Sequence, residues 1–194
     1  DVLFNVDVGG MRSGKFIEIG SESFTSCEVH VVDADKPDAP LRTIIARTPG
    51  VECTLEHSGN AFYLLTNADG QRNFALLSAP VADPKNWKPA LPYVDSVFTE
   101  NVDAFRDHLV LSQRMNGLRQ LVVYDLASRT SHRVAFDEAA YGVFRGENPE
   151  FDSRIFRFTY SSMVRPPAVY DYDVRTKSRK LLKQEEVLGG FDPS

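Results

Sequence analysis

The sequence predicts an all-β protein in which a unit of four short strands repeats every 46 residues. The stretch "YDLASRTSHR" that begins at Tyr124 returns as "YDYDVRTKSR" at Tyr170, 46 residues later. Short apolar runs return at about the same interval along the chain. These runs are rich in Val, Ile, Phe, Tyr, Leu and Thr, and turn-forming segments such as "SGN", "NADG" and "MNG" separate them. Strands are therefore favoured over helices.

Four series of runs define the strands of each unit. First strands are predicted at "NVDVGGM" from residue 5, "VECTLEH" from 51, "VFTENVD" from 97 and "VFRGENP" from 143. Second strands follow at "FIEIGS", "FYLLTN", "HLVLSQ" and "RIFRFT", and third strands at "CEVHVVD", "NFALLSA", "RQLVVYD" and "PAVYDYD". Weaker fourth strands are "LRTII", "WKPALP", "HRVAF" and "RKLLK". The predicted units span 5–50, 51–96, 97–142 and 143–188.

The repeated Tyr-Asp stretch lies between the third and fourth strands of its unit. It is interpreted as the end of one strand, a tight turn and the start of the next. Its Asp and Thr residues are expected to bond backbone groups of the turn, which is a structural role.

Four-stranded units of this length are typical of the blades of a β-propeller. Tandem β-sandwiches are the alternative, but their strands would not return at a fixed interval. Four blades correspond either to an unusually small ring or to a portion of a larger one.

Composition excludes some functions. The 194 residues carry a formal net charge of −5, which argues against nucleic-acid binding. No run is long enough to span a membrane, and the first residues lack the pattern of a signal peptide, so a cytoplasmic location is expected. Cys27 and Cys53 have no CxxC or histidine partner, so we expect buried free thiols rather than a disulfide or zinc site. No cofactor or metal is expected.

Two segments carry a family resemblance. The stretch "FRFTYSSMVRPPAVYDYDVRTKSRKLLKQEEVLGGFDPS" resembles the last propeller blade and outgoing hinge of a serine peptidase of the prolyl oligopeptidase family. "SGKFIEIGSESFTSCEVHVVDADKPDAP" is similar to an earlier blade. The resemblance implies that the chain is the C-terminal half of a seven-bladed propeller. Residues 189–194 would then begin a hinge to an α/β-hydrolase domain that cleaves peptides after Arg or Lys.

No catalytic residue is predicted in this chain. The nucleophile elbow G-x-S-x-G is missing, and its nearest imitation, "GSESF" from Gly20, lacks the second Gly and lies at a strand end. His30, His57, His108 and His132 are scattered over different strands or turns and are interpreted as structural or surface residues. The chain should therefore be inactive alone.

Loops between second and third strands should emerge on one face of a propeller. Four arginines in or beside these loops are candidates for contact with the catalytic domain or a peptide: Arg72, Arg114, Arg119 and Arg165. Acidic residues on the presumed first strands and their flanks could line a channel and attract basic peptides: Glu52, Glu56, Glu100, Asp103, Glu147 and Glu150.

These features favour a non-catalytic propeller portion that limits and gates peptide access to an active site outside this chain. One alternative is a free-standing interaction module that associates with itself or with a partner through open blade edges. Another is a small propeller with hydrolase or lectin chemistry on its axis, but the sequence shows no convincing carboxylate cluster there.

Overall fold

The computed structural model describes residues 3–189, and the predicted hinge beyond Gly189 lies outside this range. Within it the chain forms four sheets, each of four antiparallel strands. The prediction of an all-β propeller portion is confirmed. The boundaries between blades stay a prediction.

Each sheet is built from strands that follow one another along the chain. The first sheet contains β1 (Asn5–Gly10), β2 (Phe16–Glu22), β3 (Cys27–Asp33) and β4 (Arg42–Ile45). The second contains β5 (Cys53–Ser58), β6 (Ala61–Thr66), β7 (Ala75–Pro80) and β8 (Lys88–Pro89), with a short 3₁₀ turn at Ala68–Gly70. The third contains β9 (Val97–Ala104), β10 (His108–Met115), β11 (Leu118–Asp125) and β12 (Ser131–Arg133). The fourth contains β13 (Tyr141–Arg145), β14 (Ile155–Ser162), β15 (Arg165–Asp173) and β16 (Ser178–Gln184).

The hydrophobic core lies between the sheets, in three layers. Apolar side chains of the first and second sheets meet in one layer that includes Val31 and Phe62. The second and third sheets share another around Leu65 and Leu111, and the third and fourth share the most aromatic one, around Phe158. The second and third sheets are each covered on both faces. Their middle strands are therefore nearly continuous in apolar residues.

The first strands of the four sheets are called inner strands here: β1, β5, β9 and β13. Each forms one edge of its sheet, and β5 and β9 approach each other between sheets. A β-bulge interrupts β9 at Glu100, because Asn101 pairs with Ser112 while Thr99 pairs with Gln113. A bulge changes the alternation of side chains along a strand.

The repeated Tyr-Asp stretch forms the turn that its sequence predicts. Asp125 accepts the Ser128 N–H at 2.7 Å, and Asp173 accepts the Thr176 N–H at 3.1 Å. The threonines behave differently from the prediction, because their hydroxyls bond serine hydroxyls. Lys177 adopts a left-handed conformation with φ of 58°, which closes the second of these turns.

The prediction of free thiols is wrong. Cys27 and Cys53 form a disulfide, with their Cα atoms 5.8 Å apart. Cys27 begins β3 and Cys53 begins β5, and the Cys27 N–H donates to the Val51 carbonyl at 3.1 Å. Packing of the first sheet against the second therefore brings together two cysteines that have no recognisable spacing in the sequence.

The two outermost sheets expose apolar side chains. On β1, Val6 and Val8 are 66% and 69% exposed. Every residue of β16 is exposed, including Leu181 and Leu182. The apolar side chains of β1 and β16 are thus exposed, whereas those of the second and third sheets are mostly buried.

Candidate functional site

The inner strands border a cavity of about 800 Å³, called the inner cavity here. It lies where β1, β9 and β13 end, because its lining includes residues at those ends: Gly10, Arg12, Asp103 and Arg145. Glu18, Glu56 and Glu147 add three more carboxyl groups. Three acids predicted from the inner-strand pattern, Glu56, Asp103 and Glu147, thus line one cavity.

Asp103 is the centre of the ion pairs in the inner cavity. Its side chain is 2% exposed, and its Oδ1 accepts Arg12 Nη2 at 2.6 Å and Arg145 Nη1 at 3.1 Å. The Arg12 guanidinium also donates to the Ala104 carbonyl at 3.1 Å and stacks over the Phe105 ring at 4.8 Å. These contacts connect the loop after β1 to β9 and β13.

Glu18 and Glu56 belong to no ion pair within residues 3–189. Burial raises the pKa of Glu18 to about 7. Burial also raises the pKa of Glu56 to about 7, and the neighbouring charge of Arg12 offsets this only in part. Because desolvation disfavours a charged carboxylate, both groups are poised to change charge near neutral pH.

The opposite end of the inner strands carries a second, more exposed set of charges. Arg114 and Arg119 pair across β10 and β11, and both bind Glu100, at 2.8 and 2.9 Å. The Arg119 guanidinium lies 4.3 Å from the Phe144 ring centroid on β13. Glu100 also lines a cavity of about 510 Å³ with Glu22, Glu52 and the disulfide.

The remaining predicted residues lie apart from these clusters. Arg165 binds Glu138, which also accepts the Tyr160 hydroxyl. Arg72 forms no ion pair with another described residue. Glu150 accepts the Ser153 N–H through its backbone carbonyl. Contact of the four arginines with a further domain or a peptide stays a prediction.

Two histidines, His30 and His57, contact the hydroxyl of a threonine or serine. His30 Nδ1 contacts Thr43 Oγ1 and its Nε2 contacts Glu28 Oε1, each at 3.0 Å. His30 and Thr43 are cross-strand partners, so this row is ordinary pairing on the first sheet. His57 contacts Ser13 Oγ at 2.8 Å. Within the described residues no Ser, His and Asp side chains are bonded in series, which a catalytic triad requires.

Buried His108 stacks on Phe105, with ring centroids 4.6 Å apart. Burial lowers the pKa of His108 to about 4, so its ring is neutral at physiological pH. His132 bonds the Tyr172 hydroxyl at 2.9 Å and joins the third sheet to the fourth. Both residues have structural partners, in keeping with the interpretation from sequence.

Sequence reasoning missed three charged residues of the inner cavity: Arg12, Glu18 and Arg145. Arg145 lies in the run that begins at residue 143, so the inner-strand pattern itself could have identified it. Arg12 follows β1 in a turn, and its distance of 91 residues from Asp103 gives no local pattern.

Four successive sheets of four antiparallel strands define a portion of a β-propeller, and comparison with known proteins identifies its kind. Residues 2–185 match the family described as prolyl oligopeptidase, N-terminal beta-propeller domain. The chain belongs to this family. No helix within residues 3–189 has the length and apolar character needed to cross a membrane.

Individual relatives show which members of this family the chain resembles. The chain is 35% identical to dipeptidyl aminopeptidase BI of Pseudoxanthomonas mexicana. The alignment covers 100% of this chain and 27% of that relative. Oligopeptidase B from Trypanosoma brucei, solved in a closed form with covalently bound antipain, is 30% identical, with a TM-score of 0.92 over 100% of this chain and 29% of that one. Oligopeptidase B from Leishmania major is 28% identical, with a TM-score of 0.90, over 98% of this chain and 28% of the other. The resemblance seen in the sequence is thus confirmed as one to oligopeptidase B, and the chain spans less than a third of these relatives.

Proposed function

We propose that this chain is a non-catalytic part of the propeller of an oligopeptidase B-like serine peptidase, where it limits and gates the access of peptides to an α/β-hydrolase active site. The family match over residues 2–185 carries this proposal. Hydrolysis after Arg or Lys would come from residues outside this chain. Peptides and that catalytic domain are its proposed partners, and neither nucleic acid nor a membrane is.

The inner strands support a role in selecting peptides. Acidic side chains line cavities at both ends of these strands, which would attract peptides with basic residues. Arg72, Arg114, Arg119 and Arg165 are proposed to contact the catalytic domain or the peptide through carboxylates. We also propose a cytoplasmic location, in which the disulfide would be unusual because disulfides persist mainly in oxidising compartments.

The proposal is tested by adding a fluorogenic peptide that ends in Arg to the purified chain and recording its mass in solution. We expect no turnover. Turnover that a single Ser→Ala change abolishes would contradict the assignment and reveal a nucleophile among these strands.

Gating is tested in the full-length protein with Arg165→Ala, and Arg154→Ala is the matched control. Arg154 is also an exposed arginine of the fourth sheet in an ion pair, with Asp173 at 3.1 Å, but it precedes β14 instead of following it. We expect Arg165→Ala to change peptide kcat/KM severalfold and Arg154→Ala to leave it unchanged. Equal kinetics and an equal domain-closure equilibrium in both variants would remove Arg165 from the proposal.

The alternative is an interaction module without peptidase activity. The exposed apolar residues of β1 and β16 favour it, since open blade faces invite association. A dimer or larger assembly of the purified chain that Leu181→Lys disrupts, together with no role in a peptidase, would support this alternative.

A further inference from the structure

We propose that a cavity between the second and third sheets binds an organic carboxylate with an apolar part of about the size of one side chain, and that Arg133 holds the carboxylate. This cavity, of about 330 Å³, is called the intersheet cleft here. No residue lines both it and the inner cavity. The site goes beyond the proposed function, because it lies apart from the inner strands' acidic cavity and needs no catalytic domain.

Cross-strand pairing builds an apolar row that ends in a cation. Leu111 of β10 lies opposite Val122 of β11, and Val122 lies opposite Arg133 of β12. Side chains of directly opposite residues share one face of a sheet, and all three of these residues line the intersheet cleft. Leu111 and Val122 are buried, whereas Arg133 is exposed. A ligand along this row would bury its apolar part and keep its charged end at the rim.

The second sheet supplies the opposite wall of the intersheet cleft. Ala75 and Leu76 of β7 line it and are buried, and Leu91 lines it from the loop after β8. The exposed members of the lining belong to this loop and to β12: Pro92, Val94, Ser131 and Arg133. A ligand would therefore enter between the loop and β12. The volume is at the lower end of the range of about 300–1,000 Å³ that small-molecule sites occupy.

Arg133 has hydrogen-bond donors to offer to an anion. Its Nη2 contacts the Met115 sulfur at 3.4 Å, which is a weak acceptor, and it forms no ion pair with another described residue. Arg114 and Arg119 of the same sheet, by contrast, both bind Glu100. A guanidinium can bind a carboxylate through two N–H groups at once. One cation balances one negative charge, so a carboxylate suits this site better than a phosphate monoester with nearly two.

The backbone of Phe74 is a second, independent sign of a ligand site. Phe74 lines the intersheet cleft and has φ of 62°, a left-handed conformation that is rare for a bulky residue. Such strained residues persist only where their surroundings fix them, and they cluster at ligand sites. The Phe74 N–H donates to the Gln71 carbonyl at 2.9 Å, and its ring packs edge-on to Phe98 with centroids 5.7 Å apart. The strain thus holds an aromatic ring at the wall of the cleft.

The neighbouring layer shows how the space between two sheets is filled by the protein itself. Between the third and fourth sheets, the rings of Phe136 and Tyr160 stack with centroids 4.9 Å apart, and Tyr141 packs against both. Among the described residues, the buried part of the layer between the second and third sheets has one aromatic side chain, Tyr124, and otherwise Leu, Val and Ala. Since protein interiors are close-packed, these smaller side chains leave space that a ligand would fill.

The test is isothermal titration calorimetry of the full-length protein with hydrocinnamate, which has a phenyl ring, and with isocaproate, which has a branched aliphatic chain. The amide of each acid keeps the apolar part without the charge, and acetate keeps the charge without the apolar part. We expect at least one of the two acids to bind about tenfold more tightly than its amide and than acetate, because a hydrogen bond to a charged group and apolar burial both contribute. Binding of neither acid more tightly than its controls would overturn the site.

Arg133→Gln should weaken the binding of the acid about tenfold and leave the binding of the amide unchanged. Arg129→Gln is the matched control, because Arg129 is also an exposed arginine beside β12 but does not line the intersheet cleft. Both side chains are exposed, so both variants should fold. Equal losses in the two variants would show only general attraction to positive charge and would contradict a defined site.

Phe74→Gly tests the aromatic wall. Glycine adopts the left-handed conformation readily, so the change removes the ring without adding backbone strain. We expect binding of the acid to weaken severalfold. Asn116→Gly is the matched control, because Asn116 is also left-handed, with φ of 52°, and does not line the intersheet cleft. Full affinity in Phe74→Gly would contradict a ligand held against this ring.

An apolar group with a carboxylate could be a free acid or the C-terminal residue of a peptide. Tighter binding of the tripeptide Gly-Gly-Phe than of hydrocinnamate would indicate a peptide end, and the reverse order would indicate a free acid. Methyl NMR of the full-length protein locates the ligand in either case. We expect shifts of the Leu111 and Val122 methyl groups and none at Ile44, which lies between the first and second sheets. Binding without a change at Leu111 and Val122 would overturn the placement.

Discussion

At the bulge in the middle of β9, Glu100 binds two partly exposed arginines, whereas near the end of the same strand Asp103 binds two arginines with only 2% of its own side chain exposed. The two acids are three residues apart, about 10 Å along a strand. Solvent screens the first set of charges, whereas in the second set it hardly reaches Asp103 and Arg12, although Arg145 is exposed. The same pairing of one acid with two arginines should therefore stabilise the two ends of the inner strands to very different extents.

The largest effect is expected from Asp103→Ala. This change leaves Arg12, which is mostly buried, without its carboxylate, and breaking a buried pair costs about 3–5 kcal/mol. Urea unfolding of the variant measures the loss. Glu100→Ala is the matched control and should cost less than about 1 kcal/mol. Equal losses in the two variants would show that the two ends do not differ.

A somewhat smaller effect is expected from removal of the disulfide, which lies at the Glu100 end. Closing a loop between Cys27 and Cys53, 26 residues apart, stabilises a folded protein by about 3 kcal/mol. Reduction should lower the unfolding free energy by this amount. The double variant with serine at both positions should be insensitive to the reductant, and an unchanged midpoint of the original protein after full reduction would contradict the prediction.

The free energy of unfolding should depend on pH because Glu56 is buried beside the inner cavity. The folded pKa of Glu56, about 7, lies above its unfolded value of about 4.5, so its contribution is complete below pH 4.5 and is lost as the pH rises through 7. Glu56→Gln, which never ionises, should gain about 3 kcal/mol over the original protein between pH 4.5 and pH 8. His108 is present in both proteins, so its own titration cancels. A constant difference between the two proteins across this range would contradict the buried position of Glu56.

The smallest effect is expected from Arg114→Ala at the exposed end. Glu100 retains Arg119 in this variant, and exposed ion pairs contribute about 0.2–1 kcal/mol. A double-mutant cycle with Glu100→Ala isolates the coupling energy. A coupling above about 2 kcal/mol, or one that 1 M salt does not weaken, would mean that this pair behaves as a buried one.

The strands were predictable because their pattern is periodic. A covered strand must be apolar along its length, and a blade needs turn residues at regular intervals, so both requirements appear in the sequence. The shortest strand, β8, was predicted as a longer run, "WKPALP". It contains only Lys88 and Pro89, because proline cannot donate a hydrogen bond to a neighbouring strand.

The site was only partly predictable, because its contacts join distant parts of the chain. Glu56 and Asp103 could be assigned to inner strands, but the sequence does not show that Arg12 reaches Asp103 over 91 residues. Nor does it show which carboxyl is buried without a partner, since that depends on the packing of three sheets. The disulfide was missed for the same reason, because the approach of β3 and β5 creates the pairing.

The covalent connection between the first two sheets also determines how the protein would lengthen under mechanical force. Pulled between its two ends in an optical trap, the chain cannot extend through the 26 residues that the disulfide spans. A fully extended segment of this size is about 90 Å long. An oxidised molecule would therefore appear about 90 Å shorter at full extension than a reduced one. The measured difference in length would show whether the disulfide is intact in each molecule.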